Sequence, residues 1–483
     1  MVDTPQHHRL RPLVVRIVTI AALCGAAVGL LQIGSPRSAS PVPAFQDVVD
    51  DPLLMADTEF KFALFAKNLA AWAGVPGRMS PTVWEERAVA HYERLALASP
   101  PAPAACHRLA VIYAKRGYRQ QAQTMLMRAL AEDEIGAPVY IALASVYSDE
   151  PVPPKHVPRI TQLLRQQPRW WALTTLAELG RRVDAPAIAK SYDRAALGEL
   201  WRFGIALALV GGGLVLIVGL SIVALTVLGI RVLFSRYWAA GPTTIWAYGL
   251  PTCSWLDLLD VVALMLFCGA LGQVIREALA AHLPADALLP AALRMAHYLL
   301  LGAPALILVV SRTGPRWSLA LGLQSKSLGR NMLQGFVALG TALFAVLLVQ
   351  DLLAASFRVM VPGLGSTQLG DGTGSWAGGS PASIVGQLVV VIVLAPLVEE
   401  MIFRGYVYRG LLQHVQPVYA ATLSAALFAG AHLPSAGGAF FSLMILGLVS
   451  AYTYRFTRSL VPSIILHAGY NACVIATILV LRM

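Results

Sequence analysis

Charge is scarce in this sequence. Asp, Glu, Lys and Arg make up 13% of its 483 residues against 57% for the hydrophobic types, and mean hydropathy is +0.64. Ordinary soluble domains carry about twice that share of charge, so a soluble globule is excluded and a polytopic membrane protein is implied. Cysteine is scarce as well. There are five, with Cys24, Cys268 and Cys473 inside apolar runs and Cys106 alone in a polar region. Their scatter excludes a disulfide framework and a paired-cysteine metal site. An HExxH helix, the zinc-binding signature of many metalloproteases, is absent too. Although the formal net charge is +11, the basic residues form no patch or stripe. They are spread among short loops, which excludes nucleic acid as a partner and reads as membrane orientation.

What is present is a series of apolar runs. About 20 residues cross the hydrocarbon core of a bilayer as a helix, and runs of that order lie near 13–33, 204–230, 256–275, 290–311, 332–353, 382–403, 417–433, 439–455 and 460–481. The first comes after HHRLRP and precedes SPRSAS, the pattern of an anchor or of a cleaved signal peptide; its length favours an anchor, and either exports the polar region behind it. With a cytoplasmic amino terminus, thirteen Lys and Arg fall in cytoplasmic loops or ends and only Arg276, Arg358 and Arg482 on the other side. That is the asymmetry of the positive-inside rule. Between the fifth and sixth runs, VPGLGSTQLGDGTGSWAGGSP is too rich in Gly and Ser for regular structure and reads as an outer loop.

Residues 35–200 are polar and carry a repeat. LAVIYAKRGYRQQAQTMLMRAL places Leu109, Ala110, Tyr113, Gly117, Ala122, Leu126 and Ala129 where tetratricopeptide helix pairs interlock; Leu143, Ala144 and Tyr147 repeat the first part and Ala88 and Tyr92 the second. The 34-residue spacing is that of such arrays, which bind peptides or proteins on a concave face. The fold class expected is therefore all-α: a polytopic transmembrane helix bundle of about nine spans, with an inserted soluble helical-repeat domain. Residues 1–34 form the amino-terminal anchor, 35–200 the extracytoplasmic domain, 201–320 transmembrane helices and connecting loops, and 321–483 a core with strongly polar residues inside its apolar runs.

Ionisable groups inside a bilayer cost several kcal/mol unless paired and so mark functional sites. Three clusters qualify, each at i and i+4 on one helix face. In LVEEMIFRG, Glu400 and Arg404 can pair while Glu399 points elsewhere; in SAALFAGAHLP, Phe428 and His432 share a face; in SIILHAGYNACV, His467 and Asn471 do. Taken singly, each has a plain reading: an interfacial helix end with a snorkelling arginine, a packing histidine, an interhelical hydrogen-bonded pair. Taken together, the polar groups of the last four runs become partners of one another or of a substrate. With Glu400 neutralised by Arg404, Glu399 is the carboxylate suited to take a proton from water held jointly with His432, and His467 and Asn471 are placed to donate to an oxyanion.

Glu399-Glu400-x-x-x-Arg404, Phe428-x-x-x-His432 and His467-x-x-x-Asn471 resemble, in order, the EExxxR, FxxxH and HxxxN patterns of the CAAX-protease and bacteriocin-processing family. Those intramembrane glutamic endopeptidases include the eukaryotic CAAX prenyl endopeptidase, and the resemblance covers roughly residues 320–483. It implies an intramembrane endopeptidase with the same residues as the catalytic set, and Phe428 as support of the substrate pocket. The partners expected are the lipid bilayer, a membrane-bound, lipidated or exported polypeptide substrate, and a protein on the repeat domain. No cofactor and no metal are expected. A proton-coupled transporter and an inactive scaffold are the alternatives, since carboxylates and histidines within spans also build proton relays. One feature of the runs does not close: Glu399 lies about 8 Å deep and His432 about 24 Å. The two meet if the sixth helix continues to about Leu412 and the seventh starts later, with Pro396 as a site of bending.

Overall fold

The computed structural model describes residues 52–72, 82–148, 150–234, 254–280, 289–323, 327–360, 381–432 and 440–481. The run at 13–33 and residues 361–380 of the Gly- and Ser-rich loop lie outside the described residues. Among those described, every regular element is helical. They fall into two compact units, one within Val48–Gly212 and Ala476–Met483, the other within Gly213–Ile475.

The first unit contains α1 (Pro52–Trp72), α2 (Thr82–Leu97), α3 (Pro103–Lys115), α4 (Arg119–Glu132), α5 (Ala137–Tyr147), α6 (Val157–Leu164) and α7 (Arg169–Arg182). Pro103, Pro138 and Pro158 sit in the first turns of α3, α5 and α6, where a missing N–H costs nothing and a fixed φ favours the helix. Between α3 and α4 the chain reverses at Gly117, whose φ of +86° only glycine adopts freely. Tyr118 N–H then reaches back to Tyr113 O at 2.8 Å, closing the carbonyls left open at the helix end. Ala88, Tyr92, Leu109, Ala110, Ala122, Leu126, Ala129, Leu143 and Tyr147 are all buried in one core.

That core also holds charge. Asp57 Oδ1 accepts from Tyr92 Oη at 2.5 Å and from Arg108 Nε at 3.2 Å. The Arg108 guanidinium lies 5.0 Å from the Trp171 ring centre, and Phe60 stacks on Trp171 at 5.5 Å. Beside them His107 is buried, and Arg108 Nη1 lies 2.7 Å from its Nδ1. Arginine can only donate, so Nδ1 is the acceptor and the ring proton sits on Nε2. Burial, and secondarily the Arg108 charge, holds the His107 pKa well below the ordinary imidazole value. Below about pH 6.5 the unfolded histidine therefore takes up a proton that the folded one refuses, and stability falls with pH. Replacing His107 by Gln, which keeps an acceptor for Arg108 without titrating, is expected to flatten the acid side of the stability profile between pH 7 and 5 (about the range of an ordinary imidazole). Urea titrations of wild type and variant followed by tryptophan fluorescence check this; equal slopes against pH refute it.

The second unit contains α8 (Pro186–Phe234) from Gly213 onward, α9 (Trp255–Ala280), α10 (Leu289–Thr313), α11 (Trp317–Ala320), α12 (Leu328–Met360), α14 (Pro417–Ala431), α15 (Phe440–Thr457) and most of α16 (Leu460–Leu481). A further helical run, α13, is unbroken from Pro381 to Leu411 and changes its winding along the way. Without a hydrophobic force between helices in lipid, close approach through small residues and interhelical hydrogen bonds carries the packing. Gly335 on α12 lies against Ile465 of α16, and Gly469 of α16 against Leu339. Asn331 Nδ2 donates to Ser459 Oγ at 3.3 Å, and Tyr406 Oη to Asp257 O at 3.2 Å.

Six described stretches are long and apolar enough to cross a membrane: Pro186–Thr226, Ala292–Ser311, Leu328–Leu348, Ile384–Leu411, Phe440–Thr457 and Leu460–Leu481. The protein is a multi-pass integral membrane protein with an all-α bundle. Of the three other runs, 13–33 is not described and 256–275 lies within α9. The run at 417–433 forms α14, a 15-residue helix that ends at Ala431, short of a full bilayer crossing. The sixth run continues past Arg404 to Leu411, while the seventh starts at Pro417, without the later start that the depth argument asked for.

Candidate active site

α13 carries Glu399, Glu400 and Arg404. It is α-helical at Pro381–Val389, a π-helix at Val390–Leu394, α-helical at Ala395–Glu400, a π-helix at Met401–Tyr408 and α-helical at Arg409–Leu411. π turns inside α-helices are uncommon and recur at functional sites. Here they flank the turn that bears both glutamates. Pro396 stands at the start of that central turn, where it removes one N–H from the ladder.

α14 approaches α13 along a small-residue face. Ser424, Ala425 and Ala429 are buried, and Ser424 Oγ donates to Phe403 O at 2.8 Å. Where α15 packs against both, a Cβ on Gly447 of α15 would fall 2.9 Å from Ala425 Cα of α14 and 3.3 Å from Arg404 Nη2 of α13. Only glycine permits that approach, and it brings the Gly447 carbonyl within 3.1 Å of Arg404 Nη2. The end of α14 then delivers Phe428, with His432 capping the helix.

Glu400 and Arg404 are fully buried (0% exposed each) and pair at 3.0 Å. Arg404 also lies 4.7 Å from the Phe428 ring centre, and Phe428 meets the rings of His432 and His467 at 4.9 and 5.4 Å. A single aromatic ring thus touches the arginine and both imidazoles. His467 Nδ1 lies 3.0 Å from Glu400 Oε1 while its Nε2 is 3.7 Å from Glu399 Oε2. His432 Nδ1 lies 2.8 Å from Phe428 O. A carbonyl only accepts, so Nδ1 donates and Nε2 is presented as the acceptor. That Nε2 stands 3.8 Å from Glu399 Oε2, and the His432 side chain keeps 28% of its exposure, the most open position in the cluster.

The three sequence clusters therefore meet. Glu399 faces both imidazoles, Glu400 joins Arg404 and His467, and Phe428 packs across the set. Asn471 lies elsewhere in the arrangement: its Nδ2 donates to Val391 O at 2.9 Å, a carbonyl inside the first π segment. Of its two amide hydrogens one is held there. Two contacts have no counterpart among the sequence patterns: the Gly447 carbonyl on Arg404, and Ser450 Oγ at 3.4 Å from Glu400 Oε1. Their one signal is a glycine and a serine three residues apart in the apolar stretch 443–451 of that helix. Among the described residues, no group of three or more His, Cys, Asp and Glu is arranged to hold a metal ion.

Residues 381–473 match the model of a protein family described as type II CAAX prenyl endopeptidase Rce1-like. The match covers less than half of the chain and takes in every residue of the site. Among curated proteins and among solved structures, none matches the chain.

Proposed function

We propose, from the match of residues 381–473 to the type II CAAX prenyl endopeptidase Rce1-like family, that this protein is an intramembrane endopeptidase of the glutamic type. The observation that carries the reading is the position of Glu399 Oε2, 3.7 and 3.8 Å from the Nε2 atoms of two histidines. These separations are too long for direct hydrogen bonds and suit a water molecule that bonds Glu399 and an imidazole at about 2.8 Å each. Glu399 takes a proton from that water while His432 accepts its second hydrogen. The water oxygen then attacks the scissile carbonyl. Collapse of the tetrahedral intermediate returns the proton from Glu399 to the departing amine, so that no proton is lost or gained overall.

Glu400, neutralised by Arg404, holds His467 through Nδ1 and so aims Nε2 at the same point. A proton on that Nε2, together with the second amide hydrogen of Asn471, serves the developing oxyanion. Each such donor contributes about 3–4 kcal/mol. The amino terminus is cytoplasmic and the helical unit of residues 35–200 extracytoplasmic, where a repeat array captures the substrate or a partner protein. Substrates on that side are membrane-anchored or exported polypeptides; the family match adds lipidated ones. The proposed reaction requires no metal.

The test uses the purified full chain in proteoliposomes. Two substrates are offered, a prenylated peptide with a free carboxyl-terminal tail and an unprenylated membrane-anchored polypeptide, and cut ends are read by mass spectrometry. Cleavage of either, undiminished by EDTA and 1,10-phenanthroline, is expected. Cleavage abolished by chelators and restored by a divalent ion overturns the metal-free mechanism, and no cleavage of either substrate overturns the endopeptidase reading.

A further inference from the structure

α15 carries none of the three sequence patterns, yet two of its groups face the buried ion pair. The Gly447 carbonyl accepts from Arg404 Nη2 at 3.1 Å. One turn further along, the Ser450 hydroxyl lies 3.4 Å from Glu400 Oε1. That oxygen is also the one met by Arg404 Nη1 and His467 Nδ1, each at 3.0 Å. The other carboxylate oxygen, Oε2, is buried without a hydrogen-bond partner. The hydrogen bonds from Ser450 and His467 and the ion-pair contact of Arg404, whose Nη1 lacks hydrogen-bond geometry to it, therefore converge on a single atom, and they come from three helices.

Ser450 has a second link. Its backbone carbonyl accepts from Ser463 Oγ of α16 at 3.1 Å, and both serines are fully buried. Ser463 and His467 are at i and i+4 on α16, one above the other on the same face. The contacts close a ring: from Ser463 to Ser450, from Ser450 to Glu400, from Glu400 to His467, and along one turn of α16 back to Ser463. The terminal torsion of a glutamate is broad and nearly two-fold, so a carboxylate held by one hydrogen bond and one ion-pair contact can still turn. A further hydrogen bond from a third direction fixes it, and with it the imidazole it holds.

We propose that Ser450 is a positioning residue for the hydrolysis, acting through Glu400 to aim His467 Nε2 at Glu399. The proposal rests on the endopeptidase reading of the site. It needs no contact between Ser450 and substrate. Small displacements matter here, because a reacting geometry missed by about 1 Å can cost a hundredfold in rate.

The experiment compares wild type with Ser450→Ala and Ser450→Cys in the full chain, in micelles, with two readouts. The first is kcat and KM. Ser450→Ala is expected to lower kcat about tenfold, the loss of one hydrogen bond to a charged group, with KM unchanged. Ser450→Cys, near in size and a weaker donor, falls between the two. The second readout does not depend on activity. With the ten histidines labelled with nitrogen-15, the His467 Nδ1–H resonance is assigned by its disappearance in His467→Gln. It is expected to move in Ser450→Ala and part of the way in Ser450→Cys. An unmoved resonance, or Ala and Cys variants with wild-type kcat, overturns the proposal. A wild type that cleaves no substrate overturns the hydrolase reading alone, and the resonance then decides the positioning link. Should Ser450→Ala fail to fold, Ser463→Ala tests the same ring from α16: a shifted His467 resonance supports the link and an unshifted one overturns it.

Discussion

Glu399→Gln is expected to lower kcat by about three orders of magnitude, within the range that general acid–base groups contribute, while leaving the amount of folded protein unchanged. The split arises from the environment of the residue. Glu399 has its two nearest ionisable partners at 3.7 and 3.8 Å, beyond hydrogen-bond reach. Converting its carboxylate to a carboxamide of the same shape therefore breaks no direct bond among the described residues and opens no cavity. The buried charge that Arg404 requires is supplied by Glu400 at 3.0 Å. What the variant loses is an atom able to take a proton from water. Cleavage kinetics in proteoliposomes and the unfolding midpoint in detergent check both halves of the expectation. A Glu399→Gln variant that still cleaves at a tenth of the wild-type rate or faster, or one that no longer folds, removes Glu399 from the proposed role. A proton-flux measurement on the same vesicles separates the enzyme from a transporter, since a relay would lose flux in this variant where an enzyme has none to lose.

Much of this site is readable along single helices. Glu400 with Arg404, Phe428 with His432 and His467 with Asn471 are each one turn apart, and the structure puts each pair on a common face. What one helix cannot tell is which partner it meets. The side of His467 that faces Glu400 is set by the crossing of α13 and α16, and the site of Asn471 by the carbonyl of Val391 in a π turn. π turns leave no mark in composition, because Val, Ile and Leu fill Val390–Leu394 as they fill any apolar helix. Gly447 and Ser450 escape for a similar reason. A lone small residue among Leu, Ile and Val is common, and its meaning appears only when Ala425 and Glu400 are found against it.

The fold divides in the same way. Apolar runs locate the long helices, and of the positions that the 34-residue register singles out the core of the first unit buries most, with Tyr113 and Ala144 half-buried and Gly117 exposed at the turn. Length alone misjudges the seventh run, since α14 stops at Ala431 to put His432 at its cap. The depth difference between Glu399 and His432 closes because α13 continues to Leu411. The carboxylates then sit within the run instead of near its end, and the imidazole at the end of the short α14 reaches them.

Arg404→Met is expected to destabilise the protein by about 3–5 kcal/mol, the cost of leaving one partner of a buried ion pair behind. Glu400, 0% exposed, would keep its charge among apolar residues, with the Ser450 hydroxyl and the His467 ring as its remaining neighbours on Oε1. Arg404→Lys is expected to recover only part of the loss. The guanidinium reaches Glu400 Oε1 and the Gly447 carbonyl at once, with its carbon near the Phe428 ring, and an ammonium cannot reproduce that fork and face. The double variant Arg404→Met with Glu400→Leu separates stability from chemistry. Replacing both members of a buried pair by apolar side chains of similar volume is often neutral or stabilising, so the unfolding midpoint should return close to that of the wild type. Activity should not return, because His467 Nδ1 then has no carboxylate to hold it and Nε2 no longer faces Glu399. Thermal unfolding in detergent and single-turnover cleavage measure the two quantities side by side. A double variant that regains cleavage along with stability would show that the Glu400–Arg404 pair serves the bundle alone, and would leave His467 without the orienting partner on which the mechanism depends.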